Sequence, residues 1–115
     1  MTSPSQANQA YWDDDAANYH AEHPEYLSSF YWCPEMLHEG QAHLLGDVTN
    51  SSVLEIGCGS APCTEWLQSR AYFATGFDIS RGMLNHAAPG PPLAQADALS
   101  LPYATDSFDA AFSAF

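Results

Sequence analysis

Glu55, Gly57, Gly59, Asp78 and Asp97 are the residues of this 115-residue chain whose types and spacing point to chemistry. Residues 53–64 read Val-Leu-Glu-Ile-Gly-Cys-Gly-Ser-Ala-Pro-Cys-Thr. A short apolar run ends in an acid, a Gly-x-Gly turn comes next, and a proline then stands where a helix can open. Strand, tight loop and helix start form the shape on which nucleotide-like cofactors sit. Gly57 and Gly59 let the backbone turn sharply and let a ligand approach atoms that a Cβ would shield. Cys58 reads as a small side chain suited to the turn, and Ser60 completes the loop. Neither Lys nor Arg lies in this loop, and Glu55 stands just before it. A phosphate site prefers the opposite, so the expected ligand carries positive charge.

Two further acids fit the same ligand. Asp78 comes 21 positions after Gly57, the separation expected of an acid that takes two ribose hydroxyls. Its plainer role, capping a helix, falls to Ser80 instead. Asp97 ends the next predicted strand and suits an exocyclic adenine amine, although Asp is also an ordinary turn former. All three loops fall at the carboxyl ends of predicted parallel strands, the edge where open α/β sheets bind ligands.

Periodicity and punctuation give the elements that must position these residues. Residues 53–56, 72–77, 93–96 and 109–115 are predicted strands, alternating with helices over 62–70 and after Ser80. The second helix presents Met83 and Leu84 to the core, and the run at 89–92 (Pro-Gly-Pro-Pro) is a turn. That alternation implies right-handed crossovers and a parallel sheet. Ahead of it, residues 1–10 read as a flexible lead-in and 11–50 as a helical segment, with the cofactor-type domain over 51–115. In the segment, Asp13, Asp14 and Asp15 suit the first turn of a helix carrying Trp12, Ala16, Tyr19 and His23 at helical spacing. A second helix is predicted from Pro34 through Leu45 to Gly46, and Tyr26, Phe30, Tyr31 and Trp32 form an aromatic cluster between the two.

Composition excludes several partners. Fourteen acidic residues stand against two basic ones, Arg70 and Arg81, for a net charge of −12. Such a chain repels nucleic acid and anionic lipid, and without lysine it cannot build a P-loop. No apolar stretch reaches membrane-helix length, and the N-terminus is unlike a signal peptide. Cys33, Cys58 and Cys63 have no staple spacing, so reduced thiols and a cytoplasmic setting are expected. The five histidines have no metal-ligand spacing, and no nucleophilic triad is visible.

At these residues the chain resembles the N-terminal half of a Rossmann-like, class I S-adenosylmethionine-dependent methyltransferase of the type 11 group. The matching pieces are Leu-Glu-Ile-Gly-Cys-Gly, then Gly-Phe-Asp-Ile-Ser with Met83-Leu84 after it. Ala96-Asp97-Ala98, Leu101-Pro102 and Ser107-Phe108-Asp109 complete the ordered set over roughly residues 50 to 115. The resemblance implies that residues 57–60 wrap the methionine portion of S-adenosylmethionine. It also implies that Asp78 holds the ribose, that Ile79 and Met83 lie against adenine, and that Asp97 with the Ala98 backbone reads its edge. Glu55 joins this set as an acid beside the sulfonium and ammonium.

Such a ligand has no phosphate, and methyl transfer from a sulfonium asks the protein for positioning rather than a nucleophile. Many relatives carry glycine where Ala61 stands, a departure expected to be tolerated with tighter packing. Pro62 stands where a dinucleotide motif wants Gly or Ala, which disfavours a nicotinamide-dependent oxidoreductase. Among Tyr11, Trp12, Tyr19, Tyr31 and Trp32, one or two are expected to touch ligand and the others to pack. The family's sheet topology implies the strand order three, two, one, four, with the sheet cut short after its fourth strand. The last strand is then a bare apolar edge, expected in a fragment of a longer enzyme and open to self-association through residues 109–115. The expected function is methyl transfer to a small-molecule acceptor. A non-catalytic fragment that binds cofactor weakly or pairs through that edge is the alternative.

Overall fold

The computed structural model describes residues 2–25, 27–33 and 35–114. Helix α1 (Pro4–Glu22) comes first. Its start is set by a capping box: the Ser3 hydroxyl accepts from the Gln6 amide at 3.1 Å, and the Gln6 side chain accepts from the Ser3 amide at 2.9 Å. Pro4 in the first turn completes the start. The acidic run predicts a start near Trp12, after a lead-in. The local cap wins, so residues 4–10 are helical and Asp13–Asp15 lie mid-helix, free to serve other elements.

The predicted aromatic cluster and the second helix after it form something else. Strands β1 (Tyr31–Trp32) and β2 (Leu37–His38) pair antiparallel, and the single-turn helix α2 (Glu39–Ala42) comes directly after. Pro34, the predicted helix start, lies outside the described residues, as does Tyr26 of the aromatic cluster. Tertiary burial overrides the helical pattern here. Phe30 is fully buried, stacked on Phe112 at 5.0 Å between ring centres, with Trp32 and Trp66 against it. His43 in the left-handed conformation (φ 51°) and Gly46 (φ 71°) end α2 early. Glu39 makes the corner. Its buried carboxylate accepts from Trp32 Nε1 at 3.1 Å, the Leu44 amide at 2.8 Å and the Leu45 amide at 2.9 Å.

The remaining strands are parallel: β3 (Ser52–Ile56), β4 (Phe73–Asp78), β5 (Leu93–Gln95) and β6 (Ala110–Phe112). They lie in the order β5-β4-β3-β6, the order the family topology implies. Helix α3 (Pro62–Leu67) crosses from β3 to β4, and α4 (Arg81–Leu84) from β4 to β5. Central β3 reads as a buried run, Val53 to Glu55, because both its faces are covered. Asp109 fixes where β6 begins: its amide donates to the Ser52 carbonyl at 2.9 Å, and its carboxylate accepts from the Ser52 amide at 2.8 Å. Past β6, the Ala114 carbonyl accepts from the Cys33 amide at 3.0 Å, and Phe115 lies outside the described residues. The architecture is Rossmann-like α/β. Among the described residues no helix is long and apolar enough to cross a membrane.

Glu39 gives the first testable outcome. Truncating it (Glu39→Ala) leaves three partly buried donors without their acceptor, and the unfolding free energy falls by about 3 kcal/mol. Denaturant titration measures this; a change under about 1 kcal/mol would show that the corner does not depend on the carboxylate.

Candidate functional site

A cavity of about 550 Å³ opens at the carboxyl ends of β3, β4 and β5. Four loops or helices meet there. The glycine loop brings Gly57, Cys58, Gly59 and Ser60, and the turn after β4 brings Asp78 and Ile79 with Met83 of α4. The turn after β5 brings Asp97 and Ala98, and α1 roofs the cavity with Ser5, Asn8, Trp12 and Tyr19. Nine of the ten residues singled out in the sequence therefore line one cleft; the tenth, Glu55, does not. Among the described lining residues the only charged side chains are Asp78 and Asp97.

The glycine loop is held in a left-handed conformation. Gly57 has φ 67°, and the space above it is open, with no atom within 4 Å of where a Cβ would stand. Gly59 has φ 59°, and a Cβ there would come within 3.1 Å of Met83 Cε. Gly57 thus leaves backbone accessible from the cleft, whereas Gly59 is buried under Met83. Asp78 clamps the loop: Oδ2 accepts from the Gly59 amide at 2.9 Å, and Oδ1 accepts from the Ser80 amide at 2.9 Å. One carboxylate so ties the loop after β3 to the turn after β4, with lone pairs left over for a ligand. Ser80 caps α4 through the Met83 amide at 3.0 Å, the role expected of it. Cys58 is buried, and burial raises its thiol far above the ordinary range, so it stays protonated.

Ala61, the departure from glycine, sits at the N-cap of α3 with φ 62°. A left-handed alanine costs about 1 kcal/mol. Its fully buried methyl packs with Cys58 and Leu84, which offsets that strain.

Glu55 belongs beneath the loop rather than at its mouth. Its register opposite Gly76 puts it in the middle of the sheet, with no exposed surface. Oε1 accepts from Thr64 Oγ1 at 2.7 Å and from the Thr64 amide at 3.2 Å; Oε2 has no hydrogen bond of good geometry among the described residues. Burial pushes its pKa up to about 8, against the Thr64 bonds and the neighbouring Cys63 thiol, which pull it down. The carboxyl is therefore largely neutral at pH 7. The expectation of a negative charge beside the ligand is corrected: Glu55 binds the start of α3, and the acidic groups of the cleft are Asp78 and Asp97.

Asp97 is held below the ordinary carboxylate range by the Ser5 side chain first and the Leu99 amide second. Its Oδ1 accepts from that amide at 3.0 Å. The Ser5 contact brings the N-terminal end of α1 onto the third loop. Of the five aromatics expected to divide between ligand and packing, Trp12 and Tyr19 line the cleft, edge to face at 5.4 Å, whereas Tyr31 and Trp32 belong to the ribbon. Sequence reasoning misses Ser5 and Asn8, because it begins α1 too late. The signal is present: Ser5, Trp12 and Tyr19 recur every seven residues, one face of a helix that the Ser3 cap starts early. Among the described residues no group of His, Cys, Asp and Glu is placed to hold a metal ion.

With that geometry in place, residues 54–115 match the family model described as a methyltransferase domain. The match takes in more than half of the chain, including all three acid-bearing loops, and leaves out α1. No curated protein and no solved structure matches the chain.

Glu55 carries a pH-dependent outcome. Its folded pKa, about 8, exceeds its ordinary value of 4.5. The stability from keeping it neutral is full below pH 4.5 and is lost as pH rises toward 8. Glu55→Gln removes that titration, so wild type loses stability relative to the variant by about 1 kcal/mol per pH unit across this window. Unfolding curves at about pH 5, 7 and 9 measure the difference; parallel behaviour of the two proteins would contradict the buried neutral acid.

Proposed function

This chain belongs to the methyltransferase-domain family, and on that premise we propose that its cleft holds S-adenosylmethionine and serves methyl transfer to a small-molecule acceptor. When bound, that cofactor supplies an electrophilic methyl group on a sulfonium and no phosphate. The observation that carries the reading is a glycine loop and two acids lining one cleft, with no described cation among the lining residues. The residues present fit the group. The open space over Gly57 admits a bulky ligand against bare backbone. The free lone pairs of Asp78 suit ribose hydroxyls, and Ile79 and Met83 offer apolar walls for a base. Asp97 and the Ala98 backbone suit the polar edge of adenine.

The chain's own part is positioning and exclusion of water. Asp78 fixes the loop and the ribose end together, so the methionine and adenosine portions are held by one rigid unit. Trp12 and Tyr19 cover the cleft with apolar surface. A neutral acceptor suits the space near Tyr19, Leu27 and Ser113, where the cleft lining is uncharged. Cys58, kept as a thiol, offers no covalent route. Three free cysteines support a reducing, cytoplasmic setting.

A nicotinamide dinucleotide fits poorly. Its pyrophosphate needs amide donors at the helix start after the glycine loop. Here Pro62 has no amide proton, the Thr64 amide donates to Glu55, and the Glu65 amide donates to the Ala61 carbonyl at 2.9 Å. Pro62, Thr64 and Glu65 therefore offer a pyrophosphate no free donor at the start of α3.

Calorimetric titration with S-adenosylhomocysteine tests the proposal. Wild type binds saturably, and Asp78→Ala binds at least about thirtyfold more weakly, the loss expected for a charge-assisted hydrogen-bonding group. NADH gives no saturable heat. Equal affinity in the variant, or preference for NADH, would overturn the assignment.

A further inference from the structure

Helix α1 touches the cleft on one face and α4 on the next. Ser5, Trp12 and Tyr19 face the cavity. Asp13 and His20, also seven apart, meet α4 and the residues just after it, with buried Ala16 between them. The Asp13 contact is the close one. Its Oδ1 accepts from Ser80 Oγ at 2.6 Å and from the Gly82 amide at 2.8 Å. A Cβ on Gly82 would lie 3.0 Å from both Cα and the carbonyl oxygen of Asp13, so a glycine there is what lets the two backbones meet. Both bonds hold the Asp13 carboxyl below its ordinary value, so it is ionised at neutral pH.

Ser80 links this contact to the cleft. It is fully buried, and its hydroxyl has one proton. Because Oγ donates that proton to Asp13, its lone pairs face the Met83 amide, 3.0 Å away. Its own amide donates to Asp78 Oδ1. Asp13 thus sets the orientation of the one residue that joins Asp78 to the first turn of α4, and with it the wall formed by Ile79 and Met83.

We propose that Asp13 is a positioning residue of the cofactor site: from the roof helix, and without lining the cleft, it orders Ser80 and through it the adenosine-facing wall of Asp78, Ile79 and Met83. The inference rests on the cofactor reading above. Asp13 lies outside the matched family region and Ser80 within it, 67 positions further along the sequence.

The test compares Asp13→Ala, Asp13→Asn and His20→Ala, measuring affinity for S-adenosylhomocysteine and for adenosine alone, with amide hydrogen exchange of the ligand-free proteins. Asp13→Ala weakens both ligands by about tenfold, the scale of a lost capping group. Asp13→Asn stays within about threefold of wild type, since an amide oxygen accepts the same two bonds. His20→Ala releases a different α1 contact, a ring stacked on His86 at 4.1 Å, and leaves affinity near that of wild type. Exchange at Gly82 and Met83 quickens in Asp13→Ala and not in His20→Ala. The inference is overturned if Asp13→Ala and His20→Ala weaken binding alike, or if exchange at α4 is unchanged. A wild type that binds neither ligand overturns the cofactor reading and the role of Asp13 with it. Unchanged affinity in Asp13→Ala beside a wild type that binds overturns the role of Asp13 alone.

Discussion

A single carboxylate, that of Asp78, joins the parts on which everything else in the cleft depends. The glycine loop leaves β3 with its backbone in left-handed conformations, and the turn into α4 leaves β4 one strand away. Neither segment has a regular ladder to hold it. Asp78 accepts one amide from each, 2.9 Å in both cases, and converts two adjacent loops into one rigid rim. The spacing that identifies Asp78 in the sequence is therefore also a structural requirement. An acid at the end of β4 reaches both the loop and the turn, and still has lone pairs for a ligand.

Acidic groups in this fold are sorted by depth. Glu55 and Glu39 are both buried acids, with different solutions. Glu39 has a full set of three donors and turns the chain after the ribbon. Glu55 has its close hydrogen bonds on one oxygen, both from Thr64, with the Cys63 thiol beside it, and burial favours its neutral form. From its place under the loop it occupies the Thr64 amide at the start of α3. Thus the acid that looks, in sequence, like an electrostatic partner for a cation is instead buried and bonded to the start of α3. Asp78 and Asp97, at the surface of the cleft, supply the negative character.

Much of this is legible in the sequence, for identifiable reasons. The Gly-x-Gly turn, Asp78 and Asp97 each end a strand, and the family topology orders those strands. Spacing and that resemblance together therefore give the sheet order and nine cleft residues. The rest depends on contacts between distant residues. The ribbon at 31–38 exists because Phe30 and Trp32 must pack on Phe112, far along the chain. No local pattern announces that. Helix α1 is misplaced by the pattern for a different reason: three consecutive aspartates suggest a first turn, yet the Ser3–Gln6 box starts the helix earlier. Moving the start to Pro4 turns Asp13 from a dipole partner of its own helix into a cap for another. Glu55 is easily placed at a strand end, but its depth depends on the sheet register opposite Gly76.

If the three strand-end loops form one cofactor cleft, a single ligand must move all of them together. Two-dimensional amide NMR of isotope-labelled protein, titrated with S-adenosylhomocysteine, tests this most directly. Saturable shifts are expected in the amides of Gly57, Gly59, Asp78, Ile79, Asp97 and Ala98, moving together, with the ribbon residues Tyr31, Trp32 and Leu37 unmoved. Shifts confined to the ribbon side, or an unperturbed spectrum at saturating ligand, would contradict it.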